Sequence, residues 1–426
     1  MLMARNQPNE RMRTAQTFRF QFMSLLLLAG ALPFATNGFS LGLNDEIARN
    51  STIASLSAAI VGLLIQRRMS AYPGTGAFAY ILPVYSITYG LVATALLLGR
   101  FSYSNSMLLV GFAATLLFTF VVALVINRRG GGRFYLVPGG TADLKHVSRR
   151  YEWIDLQEPV VPTGTHSVIV ADLDWDHEPA WERMLAEAAI GGHTVYHVKQ
   201  LRESLTGRLQ IQHLSENSFG SLLPNHTYRG VKRVADILIA LATIPIVVLV
   251  MLVVSVIIRM DSPGPAIFRQ ARMGYRGRPF IMYKFRTMVE RNVGEQEDAQ
   301  RRDAMTQADD NRITRVGKFL RRTRLDEIPQ VFNVLKGEMS FIGPRPEAIQ
   351  LSQWYETELP FYTYRHIVRP GLTGWAQINQ GHVAELEDVH RKLHYDFYYI
   401  KNFSAWLDIV IALRTVGIVL LGHGWR

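Results

Sequence analysis

The sequence predicts a membrane α-helical bundle followed by α/β structure, and three observations carry that prediction. Of the 426 residues, 48% are hydrophobic. They gather in blocks close to the ~20 residues a helix needs to cross a bilayer. Between and after the blocks the pattern changes to the short alternations of strands and the 3.6 period of helices. A four-helix transmembrane region is expected over residues 1–130, a small doubly wound α/β domain over 131–225, and a C-terminal α/β domain over 226–426. The last of these begins with a re-entrant membrane helix at 234–258.

The four apolar segments are Phe18–Thr36, Ile47–Ile65, Ala77–Leu98 and Met107–Ile126. The second is the weakest, because Arg49, Asn50 and Ser51 stand at its start. A basic N-terminus (Arg5, Arg11, Arg13, Arg19) ahead of an apolar run also suits a signal peptide. Further spans follow without a convincing small-residue cleavage site, so an uncleaved first helix is expected. Basic residues lie before the first segment, between the second and third (Arg67, Arg68), and after the fourth (Arg128, Arg129, Arg133). The positive-inside rule then places both ends of the bundle in the cytoplasm.

In the middle region Phe134–Val137, His166–Ala171 and His193–Val198 read as strands, and Glu178–Ala189 as a helix with Trp181, Leu185 and Ala188 on one face. This is a Rossmann-like pattern. Gly139 and Gly140 follow the first strand, where a dinucleotide fingerprint would lie, but the G-x-G-x-x-G spacing is absent. A structural or regulatory module without a nucleotide is the expectation.

The fifth apolar block, Val234–Ile258, is flanked by Lys232 and Arg233 on one side and by Arg259, Arg269, Arg272, Arg276 and Arg278 on the other. Positive charge on both sides suits a hairpin that enters and leaves by the same leaflet. Pro245 in mid-block removes a helix hydrogen bond and favours a kink. The alternative is a fifth full span, which would place the rest of the chain outside the cell. Asp236 is expected at the lipid–water boundary, paired with Arg233 or a later arginine. The polar stretch Val289–Asp310 reads as an exposed loop or solvated helix. Trp406–Leu421, interrupted by Asp408 and Arg414, reads as an amphipathic element on the membrane surface.

A formal net charge of +11 suits nucleic acid, anionic lipid head groups or phosphorylated substrates, and the long apolar blocks favour the last two. With no cysteine, disulfides, thiolate metal sites and cysteine nucleophiles are excluded. No P-loop, GxSxG or HExxH occurs, and His382, His390 and His394 lack ligand spacing. Lys284 and Arg286, two apart on a strand, would project to one face as phosphate donors. Arg312 precedes a dense run, Arg321 to Arg324, that leads into the adjacent carboxylates Asp326 and Glu327. Arginines nearby hold carboxylates ionised, and an ionised aspartate beside a metal can attack phosphorus. The same residues also suit an ordinary helix surface with i,i+4 pairs such as Arg322 with Asp326. The residues alone leave those two readings level. Pro344 and Pro346 stiffen a turn that presents Arg345, and a Gly-rich bend from Arg369 to Trp375 offers backbone N–H groups at Gly371 and Gly374.

In their order after a hydrophobic helix, these clusters resemble the bacterial sugar transferase family, the polyprenyl-phosphate hexose-1-phosphate transferases or monotopic phosphoglycosyl transferases. The resemblance covers about Tyr228 to Trp425. It rests on Lys232, Arg233 and Asp236; Pro263 to Gly274; Tyr283 to Met288; Leu325 to Gln330; Asn333 to Gly337; Gly343 to Glu347; and Arg369 to Trp375. The N-terminal half looks like the large-subfamily arrangement of four helices and a degenerate nucleotide-fold domain. The resemblance implies that Asp326 attacks the sugar-linked phosphorus of a UDP-sugar and expels UMP. Undecaprenyl phosphate then takes the phosphosugar. Glu327 would hold Mg²⁺ with Asp326 or orient it. Lys284, Arg286, Arg312, Arg321, Arg345 and Arg369 become candidates for diphosphate and uridine contacts. The sugar implied is a hexose, glucose or galactose, with glucose favoured. The expected setting is the bacterial inner membrane, with the catalytic domain on its cytoplasmic face because nucleotide sugars are cytoplasmic. Expected partners are UDP-sugar, undecaprenyl phosphate and membrane lipids, with a homodimer as a candidate and no nucleic acid. Two rivals have different signatures. A membrane-bound nucleotide-sugar dehydratase or epimerase would need an intact glycine fingerprint and a Tyr-x-x-x-Lys pair, and a non-catalytic export protein would be expected to lack Asp326 and Glu327.

Overall fold

The computed structural model describes residues 19–35, 45–69, 81–128, 133–140, 144, 146–147, 151–162, 168–210, 224, 226–289, 312–380 and 385–421. The expected polar stretch therefore lies outside the described residues from Glu290 to Asp310, as do Arg11, Arg13, Arg129 and His382. The chain forms two compact units, Met1–Gly207 and Arg208–Arg426.

The first unit opens with α1 (residues 19–35), which contains a π-helical turn at Leu27–Ala31. Then come α2 (Glu46–Met69), α3 (Ile81–Leu98) and α4 (Asn105–Arg128). Glu46–Arg67, Ile81–Leu98 and Asn105–Val125 are long and apolar enough to cross a membrane, whereas the apolar part of α1, Arg19–Ala31, is shorter. Ala58, Ile81, Tyr85, Tyr89 and Ala123 form the bundle core. Gly62 lets the Tyr85 ring lie against α2, because a Cβ there would strike the ring. A buried chain of hydroxyls joins three helices, with Tyr89 Oη 3.1 Å from Ser55 Oγ and 3.0 Å from Thr115 Oγ1. Such bonds matter between helices in lipid, where no hydrophobic force draws them together.

Four short strands follow: β1 (Arg133–Leu136), β2 (Glu152–Asp155), β3 (Val168–Ala171) and β4 (Thr194–His197). They form one parallel sheet in the order β2-β1-β3-β4. Helix α5 (Pro179–Ile190) covers one face with Trp181, Met184 and Ala188, and α6 (Val198–Thr206) covers the other with Val198 and Leu201. The period-two alternation of strands explains the sorting, since Phe134 and Leu136 face α6 while Tyr135 faces α5.

The second unit is organised by α7 (His226–Asp261), a single helix of 36 residues that runs through Pro245. Among the described residues it is the fourth helix long and apolar enough to cross a membrane. Its buried apolar residues are Ala240, Val247, Val254 and Ile258, spaced by seven, seven and four, so one narrow stripe touches protein. Leu238, Leu241, Ile246, Leu249, Leu252 and Val256 are exposed on the rest of the helix.

The hairpin of β5 (Ile267–Met273) and β6 (Pro279–Phe285) packs against α7. Helix α8 (Arg315–Thr323), a 3₁₀ turn over Leu325–Gln330, α9 (Val331–Lys336) and β7 (Ser340–Ile342) come next. They are followed by α10 (Ile349–Glu358), a second 3₁₀ turn over Tyr362–Ile367, β8 (Gly371–Thr373) parallel to β7, and α11 (Trp375–Asn379). Helices α12 (Leu386–Lys401) and α13 (Ala405–Leu421) close the unit.

Helix α13 corrects one expectation. Asp408 and Arg414 do not form a solvent-facing polar side; both are buried, as are Leu407, Val410 and Ile411, and the exposed residues are the apolar Trp406, Ile409 and Val416. Arg414 donates to Asn379 Oδ1 at 3.0 Å and lies over the Trp375 ring. Asp408 accepts hydrogen bonds from Lys232, Tyr228 and Tyr399. The charges point inward because their partners are there.

Candidate active site

The carboxylate pair is placed by the way α8 ends. Thr314 caps its start, with Oγ1 accepting the Gly317 N–H at 2.9 Å. At the other end Arg324 adopts the left-handed conformation, φ 59°, which costs a non-glycine residue ~1–2 kcal/mol. The chain then turns into Leu325–Gln330, and Asp326 and Glu327 swing from the helix surface into the protein, each less than a tenth exposed. The helix therefore ends between Arg322 and Asp326, and the i,i+4 surface pair does not form. Asp326 Oδ1 is buried with no hydrogen-bond partner among the described residues.

Arg345 reaches the pair from the loop between β7 and α10. Its guanidinium donates to Glu327 Oε1 at 3.0 Å, and Arg324 stands 3.5 Å from the same oxygen. The loop is clamped along its backbone. The Pro344 carbonyl accepts the Gly371 N–H at 2.9 Å, the Arg345 carbonyl accepts Arg365 at 2.9 Å, and the Pro346 carbonyl accepts Arg272 at 3.1 Å. Glu347 accepts Lys392 at 2.6 Å, and Asp396 holds Arg365 at 2.9 Å. Arg365, Lys392 and Asp396 are all buried. The pairs Arg365–Asp396 and Lys392–Glu347 join residues 31 and 45 apart, and no local spacing marks them. The sequence reading missed this network.

The electrostatics separate the two carboxylates. Burial alone would raise Glu327, but Arg345, then Lys284 and Arg324, outweigh it and hold the group at about 2. Asp326 is raised, by burial first and by the Glu327 charge second, against the pull of Lys284 and Arg345. Lys284 is itself lowered to about 8, by burial and then by Arg345. Its place is secured by Asn333, a fully buried side chain that accepts the Tyr283 N–H at 3.1 Å and donates to the Ile281 carbonyl at 2.6 Å. The 3₁₀ turn thus sets an unsupported carboxylate and a charged carboxylate beside Lys284 from β6 and Arg345 from the loop after β7, with the half-exposed Arg324 at the edge.

The other sequence candidates fall elsewhere. Arg286 lies just past β6, its N–H still bonded to the Ala266 carbonyl at 2.8 Å, and its guanidinium is spent on the Ser262 carbonyl at 2.6 Å and Oγ at 3.0 Å, fastening the turn after α7. Arg321 donates to Thr287 Oγ1 at 3.0 Å. Arg312 pairs through its backbone, its carbonyl accepting the Val289 N–H at 3.0 Å. Arg369 donates to the Gly337 carbonyl at 2.9 Å and stacks 5.1 Å from the centre of the Tyr275 ring. At the start of α7, Lys232 is paired with Asp408. Arg233 caps the end of α9 through the Val334 and Leu335 carbonyls, the latter at 2.8 Å. Asp236 is the second correction: its oxygen accepts the Phe341 N–H at 3.3 Å, and no arginine pairs with it among the described residues. A strand amide offered the buried carboxylate what an arginine was expected to offer.

Comparison with known proteins shows the family. The profile of the family described as "Bacterial sugar transferase" matches residues 227–422. The chain is 42% identical over 383 residues to a UDP-N-acetylgalactosamine-undecaprenyl-phosphate N-acetylgalactosaminephosphotransferase of Aeromonas hydrophila, covering 90% of this chain and 89% of that one. It is 47% identical over 172 residues to a UDP-glucose:undecaprenyl-phosphate glucose-1-phosphate transferase of Xanthomonas campestris pv. campestris, covering 40% of this chain and 34% of that one. A protein of the same description from Escherichia coli (strain K12) is 42% identical over 192 residues, 44% of this chain and 40% of that one. The matched part thus spans about a third to two fifths of these two glucose-1-phosphate transferases. A match end to end at this identity, together with the family profile over the unit that holds the buried carboxylate pair, leaves one conclusion: the chain belongs to the bacterial sugar transferase family and is a phosphoglycosyltransferase.

Proposed function

We propose that the enzyme moves a hexose-1-phosphate from a UDP-sugar to undecaprenyl phosphate, with Asp326 as nucleophile. The observation that carries this is the buried Asp326 Oδ1 without a partner, beside cations that engage Glu327 instead. In this reading an Asp326 oxygen attacks the phosphorus attached to the sugar. The bond from that phosphorus to the bridging oxygen breaks, and UMP leaves with the electron pair. The lipid phosphate then attacks the same phosphorus and frees Asp326. Arg345 and Lys284 offset charge on the phosphoryl oxygens, and Arg312 and Arg321 are candidates for the nucleotide.

Mg²⁺ fits the donor set, since Asp326 offers a buried carboxylate oxygen with no other partner and Glu327 adjoins it. Asp326 and Glu327 would hold the ion, which would neutralise diphosphate charge. As to the sugar, the end-to-end relative is named for N-acetylgalactosamine and the partial ones for glucose, which favours an N-acetylated hexose over the glucose expected from sequence.

A re-entrant α7 at the cytoplasmic face of the inner membrane is part of the same proposal. One unit grips both ends of this helix. Arg229 bonds Tyr275 at the tip of the β5–β6 hairpin, and Ser262 bonds Arg286 at its base. Straight, the 33 residues between Arg229 and Ser262 would span about 50 Å, whereas a seven-residue strand spans about 23 Å. A bend at Pro245 reconciles the two lengths. The parallel sheet of the first unit supports a Rossmann-like domain, but a carboxylate faces its glycines: a Cβ on Gly140 would strike Asp172. That site repels phosphate, so this domain is read as a module without nucleotide.

The test is UMP release by the purified full chain with UDP-hexoses, UDP-N-acetylhexoses, Mg²⁺ and undecaprenyl phosphate. Asp326→Asn is expected to abolish release. Release near the wild-type rate from that variant would remove Asp326 as nucleophile, and the preferred donor assigns the sugar.

A further inference from the structure

Four arginines, Arg229, Arg233, Arg276 and Arg369, gather where α7 begins, and the site around Asp326 uses none of them. Three converge on one ring. Arg369 and Arg276 each lie 5.1 Å from the centre of Tyr275, and Arg229 donates to its hydroxyl at 3.2 Å. Arg233 and Arg369 spend part of their donor capacity on the Leu335 and Gly337 carbonyls. Among the described residues no carboxylate lies within ion-pair distance of any of the four. Two acids stand nearby: Asp236, buried on the Phe341 amide, and Glu356, which lines the adjoining cavity and accepts from Ser352 Oγ at 3.4 Å. Arginines crowded without an ion pair repel one another; Arg369 is lowered, by burial first and by the Arg233 charge next, with Tyr275 and Asp236 pulling the other way. An anion arriving here would relieve that repulsion.

There is room for one. A cavity of about 410 Å³ is lined by Arg229, Tyr275, Arg276, Thr363, His366 and Glu356, among others. Arg229 and Tyr275 also line the narrow cleft beside Arg233 and Arg369. His366, lowered to about 3 by burial, is neutral at physiological pH, so the positive wall is made by the arginines. Arg229 lies five residues before Val234, where the apolar block starts, which is about 7 Å along the helix. That is the depth of the headgroup layer, ~5–7 Å on each side of the hydrocarbon core. Basic pockets at that depth hold anionic lipid head groups.

We propose that this cluster is a binding site for the phosphodiester headgroup of an anionic phospholipid of the phosphatidylglycerol type, pinning the start of α7 to the bilayer surface. The guanidiniums of Arg229 and Arg276 receive the phosphate oxygens. The Tyr275 hydroxyl, which accepts from Arg229, has its own proton to donate to the same group. Glu356 and Thr363 in the lining offer acceptors for the glycerol hydroxyls. The inference rests on the reading that α7 lies in the membrane.

The test titrates the full chain, purified in detergent, with dioleoylphosphatidylglycerol against dioleoylphosphatidylcholine. Retained lipid is counted by native mass spectrometry. Wild type is expected to retain phosphatidylglycerol saturably, and Arg229→Gln and Arg276→Gln to weaken retention at least fivefold. Arg259→Gln, an exposed arginine at the other end of α7, should retain it as wild type does. Equal weakening by Arg259→Gln would mean diffuse surface charge and overturn the site. Retention no better than that of phosphatidylcholine would do the same. Undecaprenyl phosphate and inorganic phosphate serve as competitors. Displacement by either at tenfold lower concentration than phosphatidylglycerol would hand the cluster to that ligand and overturn the assignment. Failure of the membrane reading shows separately. A cysteine at Leu249, in a chain with no other cysteine, is labelled by a maleimide in permeabilised cells only if α7 stands outside the lipid.

Discussion

Replacing Arg345 by glutamine removes the leading cation that supports the buried Glu327 charge. The distance between the ordinary 4.5 and about 2 corresponds to about 3 kcal/mol of net support for the carboxylate. Arg345 provides the largest share, so Arg345→Gln should cost about 2–3 kcal/mol, close to the ~3–5 kcal/mol of breaking a buried pair. For a unit of this size that is a fall of roughly 5–10 °C in the unfolding midpoint. The fluorescence of the buried Trp375 reports it in nanodiscs. The pH dependence has a definite sign. A carboxylate whose folded value is depressed stabilises the fold above its unfolded value and loses that contribution as pH falls. The gap between wild type and variant should therefore be full at pH 7 and shrink below about pH 4.5. In a Glu327→Gln background, Arg345→Gln should add little. Costs that add within ~0.5 kcal/mol, or a gap that ignores pH, would refute the pairing.

Two further substitutions probe how the site is held. A Cβ on Gly343 would strike the Arg369 carbonyl, so Gly343→Ala should displace the loop carrying Arg345. UMP release should fall at least tenfold with the N-terminal unit unaffected by limited proteolysis. Lys232→Ala leaves the buried Asp408, among the described residues, with two hydroxyl donors and should destabilise the C-terminal unit by ~3 kcal/mol or more. Lys232→Ala with Asp408→Asn should recover part of that loss in the same thermal assay.

How much of this was legible in the sequence depended on where each residue's partner stood. The apolar blocks announced themselves, because bilayer thickness imposes a length that composition alone reveals. Asp326 and Glu327 stood out as adjacent carboxylates after an arginine run, and Pro344 and Pro346 marked Arg345 as held. Which carboxylate the arginine takes was not readable, because the left-handed turn at Arg324 decides it. Lys284 and Arg286 looked equivalent on a period-two pattern, yet the strand ends between them and Arg286 turns to Ser262. Asp408 and Arg414 looked like interruptions of an apolar helix because their partners, Lys232 and Asn379, are 176 and 35 residues away. The strand β2, four residues with exposed ends and a half-buried middle, carried too little pattern to be seen.

The carboxylate of Asp408 also sets a timetable. It receives Lys232 and Tyr228 from the first turns of α7 and Tyr399 from the end of α12. The first two are made by the ribosome some 180 residues earlier. At ~5–20 residues per second, the leading helix waits roughly ten to forty seconds with a lysine that has no counter-ion. During that interval the membrane, not the domain, must hold it. The C-terminal unit closes only when its last helix arrives, so a truncation before α13 would leave a charge stranded at the head of α7 and a fold that never locks.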